Sequence, residues 1–287
     1  MSRPTAKRFT QAHIQAIRIV SLFVVCGTIL RLPNLNESLW YDELWSTRVM
    51  LGNVRDLAFQ AVFDVHPPAY SVVMYLWINV FGDSEVSVRI PPLLFGIATI
   101  VLTYILANYA AGRSTALLST FLLAISPVHI WYSQEARQYS MLLCAVLLAI
   151  VSKIKLNETR PNQIWFALYA VAVSICVFGH YYLVAYIFLI SMILVAERHL
   201  NTRRLLVLNG AVVLFYCLFL GVKFSFAEFK TGLSYARPFS LSEFYQLFFN
   251  WFFLGGTWDQ VTHWWFLLVT QLFGAALFVR GIVRLYE

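Results

Sequence analysis

Apolar runs near 20 residues long recur along this chain from Ile14 to Val279. That recurrence narrows the possible folds more than any other feature. A helix crossing a hydrocarbon core about 30 Å thick needs about 20 apolar residues, and a soluble core of this size needs no such series. The expected class is therefore an all-α polytopic membrane protein. Composition agrees: 60% of residues are hydrophobic, 12% are charged and the mean hydropathy is +0.70. The net charge of +7 would suggest nucleic acid in a soluble domain. Here the basic residues sit mainly in short loops between apolar runs, where they set orientation and imply no nucleic-acid partner. Cys26, Cys144, Cys176 and Cys217 all fall inside apolar runs without a CxxC pairing, so neither a disulfide framework nor a zinc site is expected. Ile14–Leu32 lacks a small-residue cleavage pattern and reads as a permanent anchor.

The orientation depends on one segment, Pro67–Phe81. At about 1.5 Å per residue it covers only about 22 Å, too little to span. Read as a helix lying in the interface, it places Arg113, Lys153, Lys155, Arg160, Arg198, Arg203, Arg204, Arg280 and Arg284 inside. Arg89, Arg137, Lys223, Lys230 and Arg237 then lie outside. Read as a span, it reverses that excess and breaks the positive-inside rule. The interfacial reading gives about eight transmembrane helices, both termini cytoplasmic, and a plasma (inner) membrane location. The spans expected are about Ile14–Leu32, Arg89–Ala111, Ser114–Ile130, Tyr139–Val151, Ile164–Phe178, Leu183–Ala196, Leu205–Val222 and His263–Val279. Residues 1–287 then form one domain, with outer loops at 33–87 and 223–262. In the first loop Val54, Leu57, Ala58, Ala61 and Val62 have the spacing of a surface-lying amphipathic helix. The second carries Arg237–Pro238 and a helix expected to start near Ser240 or Ser242.

With this topology the polar clusters converge on the outer face. In LWYDELWSTR (39–48), Asp42 and Glu43 are adjacent carboxylates close to lipid anions, a costly arrangement unless a cation or reacting group compensates it. Asp42 could instead cap the following helix. In DVHPPAYS (64–71), Pro67 and Pro68 fix the chain that carries His66, which is either a structural histidine or a site residue. In GDSEVSVRIPPLLFG (82–96), Ser84 and Glu85 open a helix and Arg89 stands at the mouth of a span. It either snorkels to lipid phosphate or serves the site. In IWYSQEARQYSMLL (130–143), Gln134, Glu135, Arg137 and Tyr139 crowd one short turn. An aromatic belt accounts for Trp131 and Tyr132 but not for the polar groups beside them. Arg137 suits phosphate, because its planar fork matches two phosphate oxygens. His180, Tyr181 and Tyr182 at the outer end of another run form a weaker fifth group.

In this order, WYDE, HPP, GDSE with a following RIP, and YSQEAR before Tyr139 resemble the GT-C membrane glycosyltransferases of the protein O-mannosyltransferase and aminoarabinose transferase kind. The resemblance covers about residues 20–200. It implies inverting transfer of a sugar from a polyprenyl-phosphate donor to a hydroxyl acceptor on protein, lipid or glycan. Asp42 matches the catalytic acidic residue of that family, with Glu43 beside it. His66, Arg89, Gln134, Glu135, Arg137, Tyr139, His180 and Tyr181 are the expected substrate-binding residues. No cofactor is required, although Asp42, Glu43 and His66 are the residues that could hold a divalent metal. Members typically have a longer C-terminal part, so a non-catalytic truncated scaffold is one alternative. A lipid-linked sugar flippase or transporter is another. It would be favoured by mid-span charges or matching broken helices, and neither is evident, since Pro91 and Pro92 are expected at a helix start.

Overall fold

The computed structural model describes residues 4–48, 53–64, 66–157, 162–197 and 201–226. Within them every regular element is a helix: α1 (Pro4–Ile29), α2 (Tyr41–Arg48), α3 (Val54–Phe63), α4 (Ala69–Phe81), α5 (Glu85–Ala124), α6 (Pro127–Gln134), α7 (Tyr139–Leu156), α8 (Gln163–Gly179), α9 (Tyr182–Glu197) and α10 (Thr202–Phe226). Three stretches are long and apolar enough to cross a membrane: Glu85–Ala124, Tyr139–Leu156 and Thr202–Lys223. Ile14–Ile29, Ala69–Phe81, Gln163–Gly179 and Tyr182–Ala196 are shorter apolar helices. The expected span His263–Val279, the expected helix near Ser240 and Arg237–Pro238 lie outside the described residues.

Local signals explain most boundaries. Asn53 caps α3 by accepting from Arg55 and Asp56 backbone N–H groups, and Asp56 returns the bond to the Asn53 N–H. Ser84 caps α5, Ser126 caps α6 with Pro127 at its first position, and Asn162 caps α8. Two sequence expectations are corrected here. The return run Ser114–Ile130 is not one helix, because Ile125 leaves helical geometry and Ser126–Pro127 starts α6 afresh. Pro91 and Pro92 lie inside α5, not at its start. The Ser87 carbonyl that Pro91 cannot bond accepts instead from the Trp77 indole N–H at 2.9 Å.

α5 doubles back at Gly112, whose φ of 78° is a left-handed value glycine adopts without strain. Ile100 and Ala124, twelve residues to either side, both pack on Gly27 of α1. In a straight helix they would stand about 36 Å apart. The hydrogen bonds across elements then sort into two ends of the bundle. One end holds Arg113 bonded to Gln15, and Asn201 bonded to the Leu156 carbonyl. The opposite end holds the α2–α4 segment, α6 and the 135–138 turn, together with the last turns of α1, α8 and α10.

Between these ends, α7 packs on α8 and α5 through small residues such as Ala145, Ala149, Ala172 and Cys176. Small side chains allow the close backbone approach that drives association where lipid offers no hydrophobic gain. Tyr169 donates to Asn209 Oδ1 (3.1 Å), and Asn209 donates to Ser191 (2.9 Å), linking α8, α10 and α9. A second apolar cluster, with Tyr70, Met74, Ile78, Val88, Ala136 and Met141, seats α4 against α5 and α7 directly beneath the polar end.

Candidate functional site

Helix α2 begins at Tyr41, so Asp42 lies within its first turn and not at the cap. The Trp40 N–H before that turn is taken by Glu43 Oε2 at 3.3 Å. Adjacent residues on a helix point about 100° apart, and here that angle separates two environments. Glu43 turns inward and is 1% exposed, whereas the Asp42 side chain is 40% exposed.

Glu43 meets Arg89 fork to fork. Arg89 Nε donates to Oε1 at 3.0 Å and Nη2 to Oε2 at 2.6 Å. Oε1 also accepts the Ala136 N–H at 2.7 Å. Arg89 further donates through Nη1 to the carbonyls of Asn34, Leu35 and Glu37, and through Nη2 to that of Ser38. One buried ion pair therefore ties α5 to α2, to the 34–38 loop and to the 135–138 turn. All three Arg89 nitrogens are engaged inside the protein. Asn34, at φ 66°, adopts the left-handed conformation that asparagine tolerates.

Arg137 is also buried. Its Nη1 donates to the Asp42 carbonyl (3.2 Å) and to Ser46 Oγ (2.9 Å). Its Nη2 stands 3.7 Å from Asp42 Oδ2, its Nε has no hydrogen-bond partner among the described residues, and its guanidinium lies 5.9 Å from the centre of the Tyr139 ring. Glu135 is 7% exposed, and its Oε2 has no partner among the described residues. Burial, then repulsion from Glu43, pushes the Glu135 carboxyl up to about 7, so near neutral pH it is about half protonated. Gln134 donates to the Pro33 carbonyl at 2.6 Å. Asp42, Glu43, Arg89, Gln134, Glu135, Arg137 and Tyr139 are thus assembled at one end of the bundle.

His66, His180 and Tyr181 form a second group. The His66 ring lies 3.3 Å from Asp64 Oδ1 and packs edge-on against His180, which contacts Tyr181. Asp64 accepts from the Trp45 indole (3.0 Å) and the His66 backbone (2.8 Å), and its carbonyl accepts from Lys223. Burial alone would raise the Asp64 carboxyl, but its bonds from His66 and Trp45 outweigh that and hold it below the usual range. Trp45 is on α2, so that helix joins the two groups. Among the described residues no cluster of three His, Cys, Asp or Glu side chains could hold a metal ion. The combination Asp42, Glu43 and His66 is therefore corrected: Glu43 is closed off by Arg89, and His66 belongs with Asp64.

Beside the site, one fully buried arginine went unnoticed in the sequence reading. Arg31, 0% exposed, donates to the Gly27 and Ala124 carbonyls (2.6 and 3.0 Å), to Ser133 Oγ (3.2 Å) and to His129 Nδ1 (2.6 Å). Because a guanidinium only donates, His129 Nδ1 accepts and the ring proton sits on Nε2. Ser133 in turn lies so close to Gly96 that a Cβ there would meet its Oγ at 2.2 Å. A charge two residues past α1, near the end of a largely apolar run, was the signal available for finding it.

A family described as dolichyl-phosphate-mannose-protein mannosyltransferase matches residues 65–221. The match includes Arg89, Glu135 and Arg137 and begins after Asp42. No curated protein and no solved structure matches the chain.

Proposed function

The chain belongs to the dolichyl-phosphate-mannose-protein mannosyltransferase family, and from that premise we propose that it transfers a sugar from a polyprenyl-phosphate donor to a hydroxyl acceptor, inverting the anomeric carbon. Family membership makes it a glycosyltransferase of mannosyltransferase type, and its apolar helices make it an integral membrane protein. The observation that carries the mechanistic reading is the contrast between two neighbours. Asp42 keeps an open carboxylate beside Arg137, while Glu43 is enclosed.

In this reading the acceptor oxygen attacks C1 of the donor sugar and Asp42 takes the hydroxyl proton. The C1–O bond breaks on the opposite face, and the lipid phosphate leaves with the electron pair. The Nε and Nη2 side of Arg137, where Nε has no hydrogen-bond partner among the described residues and Nη2 is held only by the 3.7 Å contact with Asp42, receives the phosphate oxygens. Glu43 and Arg89 act by position, holding the loop and the turn that present these two groups. Tyr139 supports Arg137 from its ring face. His66, His180 and Tyr181 line the adjoining surface along which the lipid is expected to approach.

The test is turnover of purified chain with a mixture of lipid-linked sugars, with donor binding measured separately. Arg137→Lys keeps the charge but loses the fork, so donor affinity should fall by about tenfold, and further in Arg137→Ala. Unchanged affinity in both variants would remove Arg137 from phosphate recognition. Inactive wild-type chain that still binds donor would support the scaffold alternative instead.

We further propose eight spans, with the site at the outer face and α3 and α4 lying in the interface. Positive-inside bias supports this, since Arg113, Lys153, Arg203 and Arg204 lie toward the bundle end opposite the site. In a background without native cysteines, Arg113→Cys and Asp83→Cys should label from opposite sides of sealed vesicles. Labelling of both from one side would refute the topology.

A further inference from the structure

A cavity of 420 Å³ opens beside the Glu43–Arg89 pair, and Asp42 is not among its lining residues. Its volume lies within the range of about 300–1,000 Å³ typical of small-molecule sites. Trp40 and Trp131 line it with half-exposed indoles, and Asn34, Glu37, Gln134 and Glu135 supply its polar wall. We propose that this cavity binds a neutral pyranose ring belonging to the acceptor, which makes the acceptor a carbohydrate and not a bare peptide hydroxyl. This rests on the transferase reading only for the word acceptor; binding of the ring itself does not require turnover.

Three observations carry the inference. First, a polar group among the residues that line the cavity lacks a partner among the described residues. Glu135 lines the cavity and is more than nine-tenths buried, and its Oε2 has no hydrogen-bond partner among the described residues. A buried polar atom without a partner costs on the order of 1–3 kcal/mol, which a ligand hydroxyl would recover. Protonated near neutral pH, that carboxyl can donate to a hydroxyl oxygen, and ionised it can accept from a hydroxyl. Gln134, whose amide N–H is held by the Pro33 carbonyl, keeps its oxygen as a further acceptor.

Second, the electrostatics reject the other candidate, a lipid phosphate. Glu37, Glu43 and Glu135 outnumber the lining cation Arg89, whose nitrogens are all engaged by Glu43 and the loop carbonyls. Among the described lining residues, an anion entering here would meet carboxylates and no available cationic donor. Third, two indoles offer flat apolar faces. The C–H face of a pyranose can pack on such a surface while its hydroxyls reach the polar wall. An aromatic belt alone would explain exposed tryptophans, but not a buried acid lining the same cavity.

Saturation-transfer NMR on the full chain in detergent tests this with three neutral probes: methyl α-mannopyranoside, methyl α-glucopyranoside and methyl α-galactopyranoside. Methyl glucuronide serves as the anionic control. At least one neutral glycoside should bind saturably and the glucuronide should not. Trp131→Ala and Glu135→Gln should each weaken binding about tenfold, with Trp131→Phe retaining part of it. Melting temperature and polyprenyl-phosphate binding identify any variant that merely misfolds. Bare polyprenyl phosphate and its sugar-bearing form, added at saturation, should both leave the glycoside bound. Displacement by the sugar-bearing form alone would assign the cavity to the donor sugar and overturn the acceptor assignment. Equal binding in wild type, Trp131→Ala and Glu135→Gln would overturn the site itself. Loss of donor binding or turnover with glycoside binding intact would instead count against the transferase reading.

Discussion

Asp42→Asn should lower turnover by about 10²–10⁴-fold while leaving donor binding and melting temperature close to wild type. Removal of a general base typically has this effect, because an amide of the same size cannot accept the acceptor's proton. The competing explanation is that Asp42 merely stabilises α2. A carboxylate in a first turn interacts with the helix dipole by only about 0.3–1 kcal/mol. That explanation therefore predicts a small melting shift and nearly full activity. Donor binding should persist, since Arg137 approaches Asp42 through its main-chain carbonyl and Ser46 as well as through the carboxylate. Full activity in Asp42→Asn would end the assignment.

Arg89→Ala should be the most destabilising single change at this end of the molecule. Removing one partner of a buried pair typically costs about 3–5 kcal/mol, because the remaining charge stays buried. Here it strands Glu43, which is 1% exposed, and deprives the 34–38 carbonyls of their donor. At roughly 2–4 °C per kcal/mol, the melting temperature should fall by about 10 °C. Arg89→Lys should recover little, since one ammonium cannot reproduce a two-nitrogen fork and also reach the loop. The decisive comparison is a double-mutant cycle. Arg89→Met combined with Glu43→Gln should be less destabilised than Arg89→Ala alone, because no charge is left stranded. A wild-type melting temperature for Arg89→Ala would show that the pair does not hold the loop.

Much of this was legible from the sequence because it depends on local pattern. The runs read as Tyr139–Val151, Ile164–Phe178, Leu183–Ala196 and Leu205–Val222 fall on α7, α8, α9 and α10, since apolar composition and helix length carry that signal directly. The crowding of polar residues around Asp42 and Arg137 was likewise visible in four short motifs. Other features depend on distant partners and could not be read. Asp42 and Glu43 are adjacent and chemically alike, and only the position of Arg89, 46 residues beyond Glu43, decides which is enclosed. The restart at Ser126–Pro127 carried a cap and a proline, yet the apolar run continued across it and concealed the break. Arg31 sat in plain view, but its role depends on groups from a different part of the chain.

That distance has a consequence for how the protein is made. The groups that satisfy Arg31 on other helices, at Ala124, His129 and Ser133, follow it by 93, 98 and 102 residues. Until they are synthesised the guanidinium has to stay hydrated, since burying it without acceptors is prohibitive. The end of α1 therefore reaches its final packing only once the second limb of α5 and α6 are in place. When they arrive, one side chain closes all three together, and Gly27 and Gly96 leave room for that closure. Arg31 thus joins three elements that are distant in sequence, and a chain ending before α6 would leave that charge without its partners at Ala124, His129 and Ser133.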